Sequence, residues 1–206
     1  MNDMHNGSNQ QSPKSETREW MKTQRDAVPA QQRAIWSHQI FERAIGLPGY
    51  ESAQTVHVFL SIQSEVDTRP LIEHALAHGK RVVLPVFLKN SAETPCTQIT
   101  SLADEDYQLT GFGLRVPKVK RLVPVAEVDW VWVPLLAFWP VMLSDDELAT
   151  SGPAHRLGYG AGFYDRFLAQ IHVPKVGLAF EMQRANGWPI EPHDVPLDFV
   201  MTEGDR

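Results

Sequence analysis

Glycines 158, 160 and 162 alternate in the run Arg156-Leu157-Gly158-Tyr159-Gly160-Ala161-Gly162-Phe163-Tyr164-Asp165, just ahead of a helix-forming segment. Residues without a Cβ tolerate positive φ and can turn successive N–H groups onto an anion, and a helix behind them adds its positive end. Arg156 adds a fixed charge, and Asp165 places a carboxylate one turn into the helix, where it could hold a metal. The run is not G-x-G-x-x-G, because residue 163 is Phe, and no Gly-Lys-Ser/Thr follows it. By itself it reads equally well as a tight strand-to-helix turn. Upstream, Lys14 and Arg18 stand one helical turn apart and share a face, which on its own is a solvated basic face.

The elements that must position these residues follow from periodicity. The run from Lys14 to Ala27 is helical in composition, and Pro29 opens a second helix. There Ile35, Trp36, Ile40, Phe41, Ala44 and Ile45 form one apolar stripe, ended by Gly46 and Pro48-Gly49. Thr55–Leu60 is a buried strand, residues 69–78 a helix capped by Asp67 or Thr68, and Arg81–Val86 another strand. Strand, helix, Gly79 and strand in that order make a βαβ unit with a parallel pair. Residues 89–127 suggest short strands and loops. Val128–Pro134 is a strand, Gly162–Ile171 a helix, Val173–Phe180 a strand and Phe199–Thr202 a last short one. The alternation predicts a single three-layer α/β/α domain with a mostly parallel, Rossmann-like central sheet over 14–206, its ligands at the carboxyl ends of the strands. Residues 1–13, rich in Asn, Gln and Ser, are expected to form a disordered tail.

Composition narrows the partners. A chain of 206 residues can bury a full core without staples, and a net charge of -6 argues against a nucleic-acid-binding face. The lone Cys96 forms no intrachain disulfide and reads as a spectator thiol in a loop. No apolar run is long enough to span a bilayer and the first residues are not a secretory signal, so a cytoplasmic location and no membrane are expected. A monomer is the expected state. None of the eight histidines is assigned a catalytic proton or a metal.

The string R-L-G-Y-G-A-G-F-Y-D-R closely resembles the signature of the 5-formyltetrahydrofolate cyclo-ligase family, and the resemblance extends from Lys14 to Glu203. Lys14-x-x-x-Arg18, Phe59-Leu60-Ser61, Glu65-Val66-Asp67-Thr68, Gly79-Lys80 with Pro85, and Val133–Phe138 match blocks of that family in order. So do Gly177–Glu181 with Gln183, and Pro192-His193-Asp194. The resemblance implies ATP-dependent conversion of 5-formyltetrahydrofolate to 5,10-methenyltetrahydrofolate, with ADP and phosphate released and Mg²⁺ required. It implies that Lys14, Arg18, Arg156 and the turn Leu157, Gly158, Tyr159, Gly160, Ala161, Gly162, Phe163 and Tyr164 bind ATP. It gives Asp165 and Asp194 to the metal, and Leu60, Glu65, Tyr159, Gly160, Ala161, Gly162 and Phe163 to the folate. Glu65 would take the two N–H donors of the pterin, and Lys118, Lys120 and Arg121 a glutamate tail. The expected partners are therefore small molecules, the folate and MgATP.

The sequence departs from the family pattern in places. Trp139-Pro140 replaces an Asp, Val141–His155 interposes a longer loop containing Ser144-Asp145-Asp146-Glu147, and Ala161 stands where Gly or Lys is usual. A non-catalytic folate-binding homologue, or an enzyme acting on another N-formyl compound, stays open at this level. Retention of Lys14, Arg18, Arg156, Asp165 and Asp194 together speaks against the former.

Overall fold

Along strand β7 (Trp130–Pro134) the two tryptophans pack to one side with Ile40, Tyr50 and Ile72, while Val131 and Val133 pack to the other with Phe163, Phe167 and Leu197. In β2 (Arg81–Pro85), Val82 and Leu84 likewise oppose Val83. A period of two with apolar residues on both sides requires a sheet covered on both faces. The computed structural model describes residues 12–87, 94–110, 114–140 and 152–204. Residues 1–11 of the expected tail and 141–151 of the longer loop lie outside them.

The helices are α1 (Pro13–Ala27), α2 (Ala30–Ile45), α3 (Pro48–Ser52), α4 (Arg69–Ala77) and α5 (Phe163–Leu168). The remaining strands are β1 (Thr55–His57), β3 (Cys96–Ile99), β4 (Tyr107–Leu109), β5 (Arg115–Pro117), β6 (Leu122–Val123), β8 (Ala137–Pro140), β9 (Ala154–Leu157), β10 (Lys175–Leu178) and β11 (Phe199–Met201). The main sheet runs β11-β10-β7-β1-β2-β3-β6, parallel from β11 to β2 and antiparallel at β3 and β6. Helices α2, α3 and α4 cover one face and α5 the other. The antiparallel pairs β4–β5 and β8–β9 stand outside the sheet. Helix α1 lies over the second of them, with Met21 packed against Ala137, Leu157 and Trp188.

The expected βαβ unit is β1-α4-β2, its strands in parallel register with Val56 opposite Val82. From β1 the chain moves outward to β2 on one side, and from β7 to β10 and β11 on the other. The order therefore reverses between β1 and β7, which opens a crevice at their carboxyl ends.

Several expectations need correcting. Helix α1 begins at Pro13, with the Ser12 hydroxyl accepting from Ser15 N–H, inside the stretch assigned to a tail. Strand β1 stops at His57, because Phe59 turns its carbonyl to the Thr68 hydroxyl instead of a neighbouring strand. Of the two caps expected for α4, Thr68 holds the N-cap position with its hydroxyl engaged elsewhere, and the Asp67 carboxylate accepts from Arg69 N–H. Ile35 is 48% exposed and lies off the stripe of α2. Cys96 is in a strand, not a loop, and its burial pushes the thiol pKa up to about 12.

Candidate active site

The crevice is a cavity of about 350 Å³. Phe59 and Leu60 beyond β1, Pro85 and Phe87 at the end of β2, and Pro134 of β7 contribute the sheet side. The glycine turn and the start of α5 form a second wall, Leu114 to Pro117 a third, and Lys14, Arg18, Glu191, His193 and Asp194 close the rest. Every residue that the sequence proposed for the nucleotide, the metal or the pterin of the folate borders this one cavity, although those residues come from positions 14 to 194 of the chain.

Within the turn, Gly160 has φ +98° and Gly162 φ +64°. A side chain at such angles costs about 1–2 kcal/mol, so glycine is what lets the backbone double back onto the cavity. Arg18 donates from Nε to the Gly158 carbonyl at 2.8 Å, tying the N-terminal helix to the turn. Helix α5 is shorter than the expected Gly162–Ile171, with only six residues, and its dipole is correspondingly small. Anion binding here falls chiefly to backbone N–H groups and cationic side chains.

Two of those cations already hold carboxylates. Lys14 Nζ lies 2.5 Å from Glu191 and 2.7 Å from Asp194. Arg156, almost wholly buried, reaches Asp165 at 2.7 Å and places its guanidinium 5.7 Å from the centre of the Tyr164 ring. Burial opposes both charges of the Lys14–Asp194 pair, yet their mutual hydrogen bond wins: the Lys14 pKa is raised and the Asp194 pKa lowered, the latter helped by Glu191 N–H. Ligand atoms of Glu191, His193 and Asp194 lie within 4.8 Å of one another. With Asp165 on the same cavity, the donors are mainly hard carboxylate oxygens, which suit Mg²⁺.

On the sheet side, Glu65 accepts from Ile62 N–H at 3.0 Å through Oε2 and from the Tyr159 hydroxyl at 2.6 Å through Oε1. Burial raises the Glu65 pKa, against the pull of Tyr159, Ile62 and Arg25. Phe163 is buried and meets the exposed ring of Phe87 at 4.5 Å. Leu60, half-buried, packs against the core as well as bordering the cavity.

The structure separates Lys118 and Arg121 from this site. They border a smaller groove with Gln98 and Glu105, and Lys118 donates to the Glu105 carbonyl. Lys120 borders neither. The cation of that region that reaches the main cavity is Arg115, which sits 4.6 Å over the Tyr107 ring and pairs with Asp104. Sequence reasoning passed over Arg25, which donates to the Tyr159 hydroxyl at 2.9 Å; its signal was heptad spacing from Arg18. It also missed Phe87 and Glu191, which no spacing marks. His74 and His78 do form an i, i+4 pair, with rings 4.0 Å apart, but on α4 and its C-cap, outside the cavity lining.

The 5-formyltetrahydrofolate cyclo-ligase family model matches residues 10–203. The chain belongs to that family. The 5-formyltetrahydrofolate cyclo-ligase of Escherichia coli (strain K12) is 33% identical over 187 residues, covering 88% of this chain and 96% of the relative. A probable 5-formyltetrahydrofolate cyclo-ligase of Caenorhabditis elegans is 29% identical, with 93% of each covered. The solved 5,10-methenyltetrahydrofolate synthetase of Aquifex aeolicus superposes with a TM-score of 0.75 at 28% identity, over 93% of this chain and 90% of that one. The cyclo-ligase family thus accounts for both the sequence blocks and the sheet order. No described helix is long and apolar enough to cross a membrane.

Proposed function

We propose that this chain, a ligase of the cyclo-ligase family, binds MgATP and 5-formyltetrahydrofolate together in the crevice between β1 and β7. There it closes the folate to 5,10-methenyltetrahydrofolate. The observation that carries this reading is the convergence of Lys14, Arg18, Arg156 and the glycine turn with Glu65, Asp165 and Asp194 on one cavity. In this reading Lys14, Arg18, Arg156 and the backbone of Gly158–Gly162 hold the phosphates. Glu65 accepts from the pterin, and Leu60, Tyr159 and Phe163 form its apolar walls.

Asp165 and Asp194 would hold Mg²⁺, with Glu191 beside them, and the ion would supply positive charge to the transferring phosphoryl group. The formyl oxygen attacks the γ-phosphorus and ADP leaves. N10 then bonds to the activated formyl carbon, losing its proton, and phosphate departs with the former formyl oxygen. Positioning dominates such a sequence, because the walls bring two substrates into one orientation and exclude water from the activated carbon. The same reading has the chain working as a monomer in the cytoplasm on these small molecules alone.

The test is direct. Purified protein with 5-formyltetrahydrofolate and MgATP should develop methenyltetrahydrofolate absorbance that depends on both ATP and metal. A folded protein that binds ATP and forms no product would overturn the reading.

A further inference from the structure

Helix α1 presents Lys14, Arg18, Met21 and Arg25 at i, i+4, i+7 and i+11, which is one narrow face. The first two border the cavity. Arg25 does not, and is only 1% exposed. A buried guanidinium is costly unless its surroundings answer it, and a purely structural position on this face is filled by Met21. What answers Arg25 is a directed chain. Its Nε donates to the Ser64 hydroxyl at 3.0 Å, its Nη1 to the Leu135 carbonyl at 3.4 Å, and its Nη2 to the Tyr159 oxygen at 2.9 Å.

Arginine has no acceptor and tyrosine a single proton, so the polarity along the second arm is fixed. Arg25 donates to Tyr159, and Tyr159 must spend its proton on Glu65 Oε1 at 2.6 Å. Glu65 Oε2 is held separately by Ile62 N–H. On the first arm, the Ser64 hydroxyl donates a hydrogen bond to the carboxylate of Asp26. The arginine is thus flanked by two carboxylates, each reached through one hydroxyl.

We infer that Arg25 is a positioning residue for folate recognition: it sets the Tyr159 hydroxyl so that Glu65 stays an acceptor-only carboxylate turned to the cavity. This rests on the reading of Glu65 as the pterin acceptor. Burial favours the neutral acid at Glu65, whereas a neutral acid would present one donor where the pterin offers two. Arg25 and Tyr159 oppose that drift, and Arg25 does so without bordering the cavity.

The inference is tested by measuring KM for 5-formyltetrahydrofolate and for ATP separately in Arg25→Met, Arg25→Lys and Glu65→Gln. Arg25→Met is expected to raise the folate KM about tenfold, the loss of one hydrogen bond to a charged group. The ATP KM should stay within about twofold, and the acid limb of kcat/KM for the folate should move to higher pH. An unchanged folate KM, a parallel rise in both KM values, or an unmoved acid limb assigns Arg25 to the fold alone and overturns the inference. If Arg25→Met does not fold, the same comparison on Arg25→Lys decides. Failure of both variants to fold also overturns it. A normal folate KM in Glu65→Gln would instead sink the reading of Glu65, whatever the Arg25 variants do.

Discussion

Arg156 and Asp165 stand on either side of the glycine turn and meet at 2.7 Å, with side-chain exposures of 4% and 20%. Lys14 and Asp194 repeat the arrangement at 2.7 Å across the cavity wall. Two of the three cations proposed for phosphate, Arg156 and Lys14, therefore rest on carboxylates proposed for the metal, while Arg18 donates to the Gly158 carbonyl. Arrival of MgATP can redistribute both pairs with little change in net charge, since the anion draws off the cations while the metal takes the acids.

The first pair separates two effects of mutating Asp165. Asp165→Asn keeps an acceptor for Arg156 and is expected to abolish MgATP-dependent turnover with little change in melting temperature. Asp165→Ala also strands a buried guanidinium and should cost a further ~2–3 kcal/mol of stability, below the fully buried limit because Asp165 is partly exposed. Turnover assays and thermal melts on both variants check this. Wild-type rates in either one would remove Asp165 from the metal site.

The second pair predicts two pH limbs. The Asp194 pKa is depressed below 3.8, so its contribution to stability is present above that value and lost as pH falls through the folded pKa. The Lys14 pKa is raised above 10.5, so its contribution is present below that value and lost as pH rises through the folded pKa. In Lys14→Met both limbs of a melting-temperature profile should flatten, and the KM for ATP should rise. A profile identical to wild type would show that the pair adds nothing to stability.

His57 gives a limb at milder acidity. Its ring is fully buried, 4.5 Å from Phe167 and edge-on to Tyr164, and burial lowers its pKa to about 3. Between pH 6.5 and 3 the unfolded chain binds a proton that the folded chain refuses, so stability falls as pH falls. The loss from this residue between pH 7 and 5 should be about 2 kcal/mol. Urea unfolding at the two pH values measures it, and His57→Phe should shrink the difference by that amount.

Cys96 should be chemically silent. Thiolate is the reactive form, and a fully buried thiol with its pKa near 12 supplies almost none at neutral pH. A thiol-modifying reagent is expected to leave the native protein unlabelled and to label it stoichiometrically in denaturant. Rapid labelling of the folded chain would contradict the placement of Cys96 within β3.

Much of this was legible in the residues because the signals were local. The alternation of strands with helices announced a three-layer domain, and Gly79 between α4 and β2 announced a crossover. The glycine turn also declared itself. What escaped was set by distant partners. Arg25 sits in a basic helix whose composition suggests solvent, and only its fit to Ser64, Leu135 and Tyr159 buries it. The chain leaves the β1 ladder before Phe59, whose carbonyl accepts from the Thr68 hydroxyl nine positions away. Residues 89–127 carry strands of two to four residues, too short for a period to establish itself. The wall they build at Leu114 to Pro117 went unread for that reason. The glutamate-tail cluster at Lys118, Lys120 and Arg121 failed because neighbours in sequence need not face one cavity.

One bond carries a consequence for how the enzyme comes into being. Lys14 closes on Glu191 and Asp194, partners 177 and 180 positions further along the chain. During vectorial synthesis the cations of α1 leave the ribosome well before the acids that complete their side of the cavity. The nascent chain can assemble its β1-α4-β2 unit once residue 85 has emerged, yet this side of the cavity stays open until Asp194 follows. This side of the cavity therefore closes in one late step, when Glu191 and Asp194 meet Lys14, instead of growing with chain length.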